Sequence, residues 1–251
     1  MVDIGWAAAT ALLHMVLVGV LLAPLMWWRA RRGGCPILAP GGARSLIAAA
    51  GIYLVAHGVL SLPRVGFFAE LSYNWQNKLL LFALMVLAIW LRPPVTWRDV
   101  GVARPRRGWW IPIVVAFAGM VGLNLLGGPQ FATDTETFLF QAVVPGLDEE
   151  LLFRGVLLLV LHRTLTGRRS MWRDEVGWEV PITCLLFGLV HGLHVVSGWE
   201  LTFDPADIIV TGLLGLLLTW IRIRWASLLP AVLAHNAINT AATVANAMLG
   251  R

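Results

Sequence analysis

The sequence predicts an all-α fold: a polytopic membrane helical bundle of about eight transmembrane helices. Three observations lead there. Of 251 residues, 58% are hydrophobic and only 13% are charged, about half the charged share of a soluble domain. Mean hydropathy is +0.76, and the apolar residues gather in runs near the roughly 20 residues a bilayer requires. The arginines fall in the short segments between those runs. A membrane β-barrel is a poor match, because its alternating strands do not produce long continuous apolar runs. The formal charge of +5 admits a nucleic-acid partner in principle. Its placement in short loops argues for no nucleic acid and for a membrane surface instead.

The first apolar run, Ile4–Trp28, ends in Trp27-Trp28 followed by Arg29, Arg31 and Arg32, an interfacial signature. It is too long for a cleavable signal peptide and lacks a basic leader. The second run is Ser45–Pro63, and the third is Trp75–Leu91, where Lys78 is expected to snorkel to the surface. His14 and His57 read as packing residues. A basic connector, 92–108, contains Pro93, Pro94 and Pro105, and its Val95–Val102 part suits a short interfacial helix. The remaining runs are Trp109–Leu126, Thr137–Leu161, Glu179–Val196, Ala206–Ile221 and Ala226–Leu249. The last two are joined by a turn short enough to make them antiparallel neighbours. Cys35 and Cys184 are too few for a disulfide framework. The chain divides into N-terminal membrane helices, 1–94, and a core, 95–251.

Orientation follows from charge. With the N-terminus outside, the inside loops hold 15 of the 19 basic residues, as the positive-inside rule asks. Arginine supplies all but one of the basic residues, which points to a GC-rich bacterial source and an inner (plasma) membrane location.

The fifth run contains Asp148-Glu149-Glu150-Leu151-Leu152-Phe153-Arg154. Each charge at a helix centre costs about 2.5–3.5 kcal/mol, so such residues are functional candidates by default. Glu150 and Arg154, four apart, share a face and suit an ion pair. Glu149 cannot share that face, and its own helix offers it no cation. A carboxylate so placed suits a general base. The bland alternative is an ion pair joining two helices.

Two other runs carry polar residues at helical spacing. One has Phe187-Gly188-Leu189-Val190-His191, with His194 a turn further on. The other has His235-Asn236-Ala237-Ile238-Asn239. Buried in a bilayer these groups need partners, and one shared polar cavity is the economical solution. Two chemistries suit it. A Glu and a His can activate a water while a second His and an Asn stabilise an oxyanion. Alternatively Glu149, His191 and His235 can bind zinc. The His-Glu-x-x-His and Gly-x-Ser-x-Gly motifs are absent from the sequence.

Glu149-Glu150-x-x-x-Arg154, Phe187-x-x-x-His191 and His235-x-x-x-Asn239, in that order on separate apolar runs, resemble the signature of the CPBP family. These are the type II CAAX prenyl endopeptidases and their bacterial relatives, also called the Abi family. The flanks Phe153-Arg154-Gly155 and Ser227-Leu228-Leu229-Pro230 match too, over about 138–245. The resemblance implies a glutamate-type intramembrane endopeptidase. Glu149 and His191 would activate the water, His235 and Asn239 would form the oxyanion hole, and Glu150 and Arg154 would support the site. His194 is a possible lining residue. No cofactor is required on this reading, with zinc as the alternative. The expected partners are membrane lipid and a protein or peptide substrate with an apolar or lipidated tail. The competing class is a non-enzymatic immunity, scaffold or transport protein that binds through the same cavity.

Overall fold

The computed structural model describes residues 4–34, 36–92, 95–127, 132–171 and 174–250. Cys35, Pro93 and Pro94 lie outside them. The chain forms two compact units, each from two separate stretches: Met1–Pro63 with Phe153–Trp220, and Arg64–Leu152 with Ile221–Arg251.

In the first unit, α1 (Ile4–Gly33) packs on α2 (Gly42–Leu60). Its buried residues Ala7, Ala11, His14, Val18 and Leu22 form one stripe at helical spacing. Leu12, Val16 and Val20 on α1 are exposed, as are Ile47 and Val55 on α2, as lipid-facing positions should be. Arg31 and Arg32 lie over the rings of Trp27 and Trp28 at 3.9 and 4.2 Å, so the aromatic-arginine belt is physically paired. His14 is fully buried and its Nε2 donates to the Leu193 carbonyl at 2.7 Å. Its Nδ1 therefore accepts from the Tyr53 hydroxyl at 2.8 Å. The packing role expected of His14 is the one it has.

The same unit contains α7 (Leu158–Thr164), a hairpin of β1 (Arg169–Met171) and β2 (Asp174–Val176), and α8 (Glu179–Gly192). The helix expected to run to Val196 stops at Gly192. Leu193 turns extended, and β3 (Leu193–Val196) pairs with β4 (Glu200–Phe203). The cause is local. Gly192 lies so close to the chain at Asp204 that a Cβ would stand 2.4 Å from its carbonyl oxygen. The β-branched pair Val195-Val196 favours a strand, and Gly198 takes the positive φ that the hairpin needs. The helix α9 (Pro205–Arg224) follows.

The second unit holds the short α3 (Phe67–Glu70), α4 (Trp75–Leu91), α5 (Ile111–Leu125), α6 (Thr135–Glu150) and α10 (Leu228–Met248). α10 packs on α5 and α6, and α4 packs on α6. Ala231, Ala234, Ala241 and Ala245 on α10 are fully buried, the small residues that let membrane helices approach closely. The connector is a turn rather than the expected interfacial helix. Asp99 Oδ2 accepts from Thr96 N and Oγ1 at 2.7 and 2.8 Å. Gly101 at φ 95° then accepts through its carbonyl from Leu228 N at 2.7 Å. That ties the connector to the start of α10.

Among the described residues, α1, α2, α9 and α10 are long and apolar enough to cross a membrane, and α4, α5 and α8 are apolar but shorter. A helical membrane protein fits this pattern.

Candidate active site

α6 begins at Asp134, whose carboxylate accepts from Thr137 N at 3.0 Å and Thr137 Oγ1 at 2.6 Å. These bonds, the side-chain one foremost, hold its carboxyl below the usual aspartate value. Glu136 accepts from Ser72 N, Tyr73 N and Trp75 Nε1 at 3.1–3.2 Å. Tyr73 stacks on Phe140 at 4.5 Å. Together these contacts fix the start of α4 against the first turn of α6, and so the register of the two helices.

Further along, Pro145 interrupts the α6 hydrogen-bond ladder. Asn236 of α10 repairs it. Its Oδ1 accepts from Gly146 N at 2.8 Å, and its Nδ2 donates to Val143 O at 3.2 Å. A Cβ on Gly146 would stand 2.6 Å from the Val232 carbonyl and 2.5 Å from Asn236 Oδ1. Only glycine lets the helices approach this closely. Asn236, outside the motifs, is thus the residue that locks α10 onto α6.

The acids follow one turn after that lock, and His235 sits beside them. His235 Nδ1 donates to Glu150 Oε1 at 2.8 Å, while its Nε2 lies 3.9 Å from Glu149 Oε2. Glu150 and Asp148 are buried. The third component is one the sequence reading missed. Lys78 from α4 donates to Glu149 Oε1 at 2.6 Å and to both Asp148 oxygens at 3.0 and 3.2 Å. It does not snorkel, because two carboxylates hold its ammonium inside the unit. The signal was present: this is the chain's single lysine, placed within an apolar run. Asn239, half-buried, lies one helical turn from His235 on α10.

His191 and Arg154 belong to the other unit. A close approach at Gly188, where a Cβ would stand 2.5 Å from Ile208 O, positions the end of α8. There His191 Nδ1 donates to the Phe187 carbonyl at 2.7 Å. A carbonyl only accepts, so the proton sits on Nδ1 and the lone pair on Nε2. His194 stands in β3, not one helical turn on, and its Nε2 donates to His191 O at 3.3 Å. After Glu150 the backbone widens into a π-helical turn, Leu151–Leu157, a distortion frequent at functional sites. Arg154 in this turn is fully buried, with its guanidinium over the Phe187 ring at 4.1 Å and its Nε 3.4 Å from Thr219 Oγ1. Gly215 leaves it room, since a Cβ there would stand 3.0 Å from Arg154 Nη2.

Zinc needs ligand atoms within about 2.3 Å of one point. Among the described residues no three His, Cys, Asp or Glu side chains converge in that way. The Lys78 ammonium also holds the cationic position beside Glu149.

Residues 131–241 match the family model described as type II CAAX prenyl endopeptidase Rce1-like. This stretch resembles an Rce1-like domain, consistent with the CPBP family. It takes in Asp148 to Asn239 and leaves out Lys78. No curated protein and no solved structure was found to match the chain.

Proposed function

We propose that the protein is an intramembrane endopeptidase that hydrolyses a peptide bond in a membrane-associated or lipid-modified protein tail. The observation that carries this reading is the placement of His235 between Glu150, at 2.8 Å, and Glu149, at 3.9 Å, inside the Rce1-like domain. Glu149 takes the proton of the attacking water and later delivers it to the leaving amine. The 3.9 Å gap between Glu149 Oε2 and His235 Nε2 exceeds a direct hydrogen bond and is short enough for both atoms to contact one reacting group. Glu150 holds His235 through Nδ1–H. A protonated Nε2 then donates to the developing oxyanion, with Asn239 as second donor. The family resemblance assigns His191 to the same water, and its Nε2 lone pair suits that role. Arg154 supports the site. Eight membrane crossings with the arginine-rich loops inside a bacterial plasma membrane complete the reading.

The test compares wild type with Glu149→Gln and His191→Ala in native membranes, by quantitative mass spectrometry of protein C-termini. C-terminal fragments that appear only with wild type support the protease. Identical proteomes from equally abundant folded proteins remove it. They would favour a second reading, a binding protein for immunity, scaffolding or transport. The Lys78–Glu149 ion pair at 2.6 Å is the observation on that side, because it neutralises the base as a structural bridge would.

A further inference from the structure

The unit of α1, α2, α7 and α8 contains an apolar cavity of about 500 Å³, lined among others by Val18, Leu22, Ala49, Leu157 and Leu186. Ligand sites occupy about 300–1,000 Å³. Tyr53 also borders it, but its hydroxyl is committed to His14, so the lining stays apolar. Met26 and Ile37 are shared with a second cavity of about 200 Å³ that holds Arg29, Gly167 and Trp178. Two donors converge there: a Cβ on Gly167 would stand 3.9 Å from Trp178 Nε1 and 4.0 Å from Arg29 Nε. The guanidinium carbon of Arg29 is 5.7 Å from the Trp178 ring centroid. This mouth lies at the Trp27-Trp28, Arg31-Arg32 end of α1, where a membrane helix meets the headgroups.

We propose that the two adjoining cavities bind one anionic phospholipid of the bilayer. One acyl chain lies in the apolar cavity, and the phosphate accepts from Arg29 and the Trp178 indole. Polarity and sign both match. The larger hollow is apolar and shares Met26 and Ile37 with the smaller one, the smaller one holds Arg29, and basic pockets between membrane helices on the cytoplasmic side are where anionic headgroups bind. None of the lining residues has a role in the proposed chemistry, so the inference stands whether or not the protein is a protease.

The test titrates the purified, delipidated full chain in mild detergent with palmitoyl-oleoyl phosphatidylglycerol or the phosphatidylcholine of the same chains, and counts lipid adducts by native mass spectrometry. Wild type should retain the glycerol lipid more tightly. Arg29→Gln should weaken it about five-fold and weaken the choline lipid less, since one arginine near an anionic surface contributes about 1 kcal/mol and the ammonium of the zwitterionic headgroup offsets its phosphate. Gly19→Leu should weaken both lipids. Gly19 borders the cavity and a Cβ there meets no atom within 4 Å, so the added side chain starts in open space. Equal retention of the two lipids by wild type overturns the proposal, as does an Arg29→Gln protein that still prefers the anionic one.

Discussion

The Lys78 ammonium lies 2.6 Å from Glu149 Oε1 and also bridges to Asp148, across seventy residues of chain. Lys78 stands outside the Rce1-like stretch 131–241, yet it touches the residue assigned as the base. Removing one partner of a buried ion pair costs about 3–5 kcal/mol, because the other charge stays behind. Lys78→Met should therefore lower thermal stability by that order, and Lys78→Met/Glu149→Gln should recover part of the loss. Lys78→Arg should keep the fold while perturbing activity, since a planar fork cannot reproduce a point charge shared by two carboxylates. Detergent unfolding curves for wild type, Lys78→Met, Lys78→Arg, Glu149→Gln and the double variant decide it. Independent, additive losses would mean that Lys78 and Glu149 do not interact.

The lock between α6 and α10 gives a second expectation. Gly146→Ala places a methyl group 2.6 Å from the Val232 carbonyl, so the helices must separate. Overpacking of this kind costs about 1–3 kcal/mol. Asn236→Ala strands the Gly146 amide, for a similar loss. Because both act on one contact, the double variant should lose less than the two single losses together. The midpoint of thermal unfolding reads this directly.

Much of the fold was legible because its cause is local. Apolar runs marked the positions of the long helices, though not the short α3, and the arginine belts fell where the rings of Trp27 and Trp28 now pair with Arg31 and Arg32. The early end of α8 was not legible. It comes from Gly192 meeting Asp204, a contact that periodicity does not reveal. The π-helical turn at Leu151–Leu157 was equally hidden, and it means that the four-residue spacing of Glu150 and Arg154 no longer implies one shared face. In the site, the pairing of His235 with the acids followed from the need of buried polar groups for partners. Its ordering did not: the choice of Glu150 Oε1 as the acceptor for His235 Nδ1 has no local signal. Lys78 escaped because a lysine near a helix start is ordinarily read as snorkelling.

The cap of α6 carries a pH signature. The Asp134 carboxyl is held below its ordinary value by its two bonds to Thr137. A lowered folded value means that the stabilisation is fully present above the unfolded value, about 3.9. It is lost as pH falls through the folded value. The unfolding midpoint of Asp134→Ala should thus lie below that of wild type at neutral pH, and the gap should close under acid conditions. A gap that stays constant from neutral to strongly acid pH would rule out the charged cap as its source.

Glu150 and His235 supply the sharpest test of the chemistry. Glu150 is fully buried and holds His235 Nδ1 at 2.8 Å, so in the proposed mechanism it acts through His235. Deleting an oxyanion donor costs about 10²–10³ in kcat, so His235→Ala should lose that much with little change in KM. Glu150→Gln keeps the shape and still accepts a hydrogen bond, but it withdraws the negative charge that stabilises a doubly protonated imidazole. It should lower kcat less than His235→Ala does. In a His235→Ala background the same Glu150 change should do almost nothing more, because the residue it positions is gone. Single-turnover kinetics on a cleaved tail identified by the C-terminal comparison separates these outcomes. A Glu150→Gln effect that persists undiminished without His235 would show that Glu150 acts on the reaction by another route.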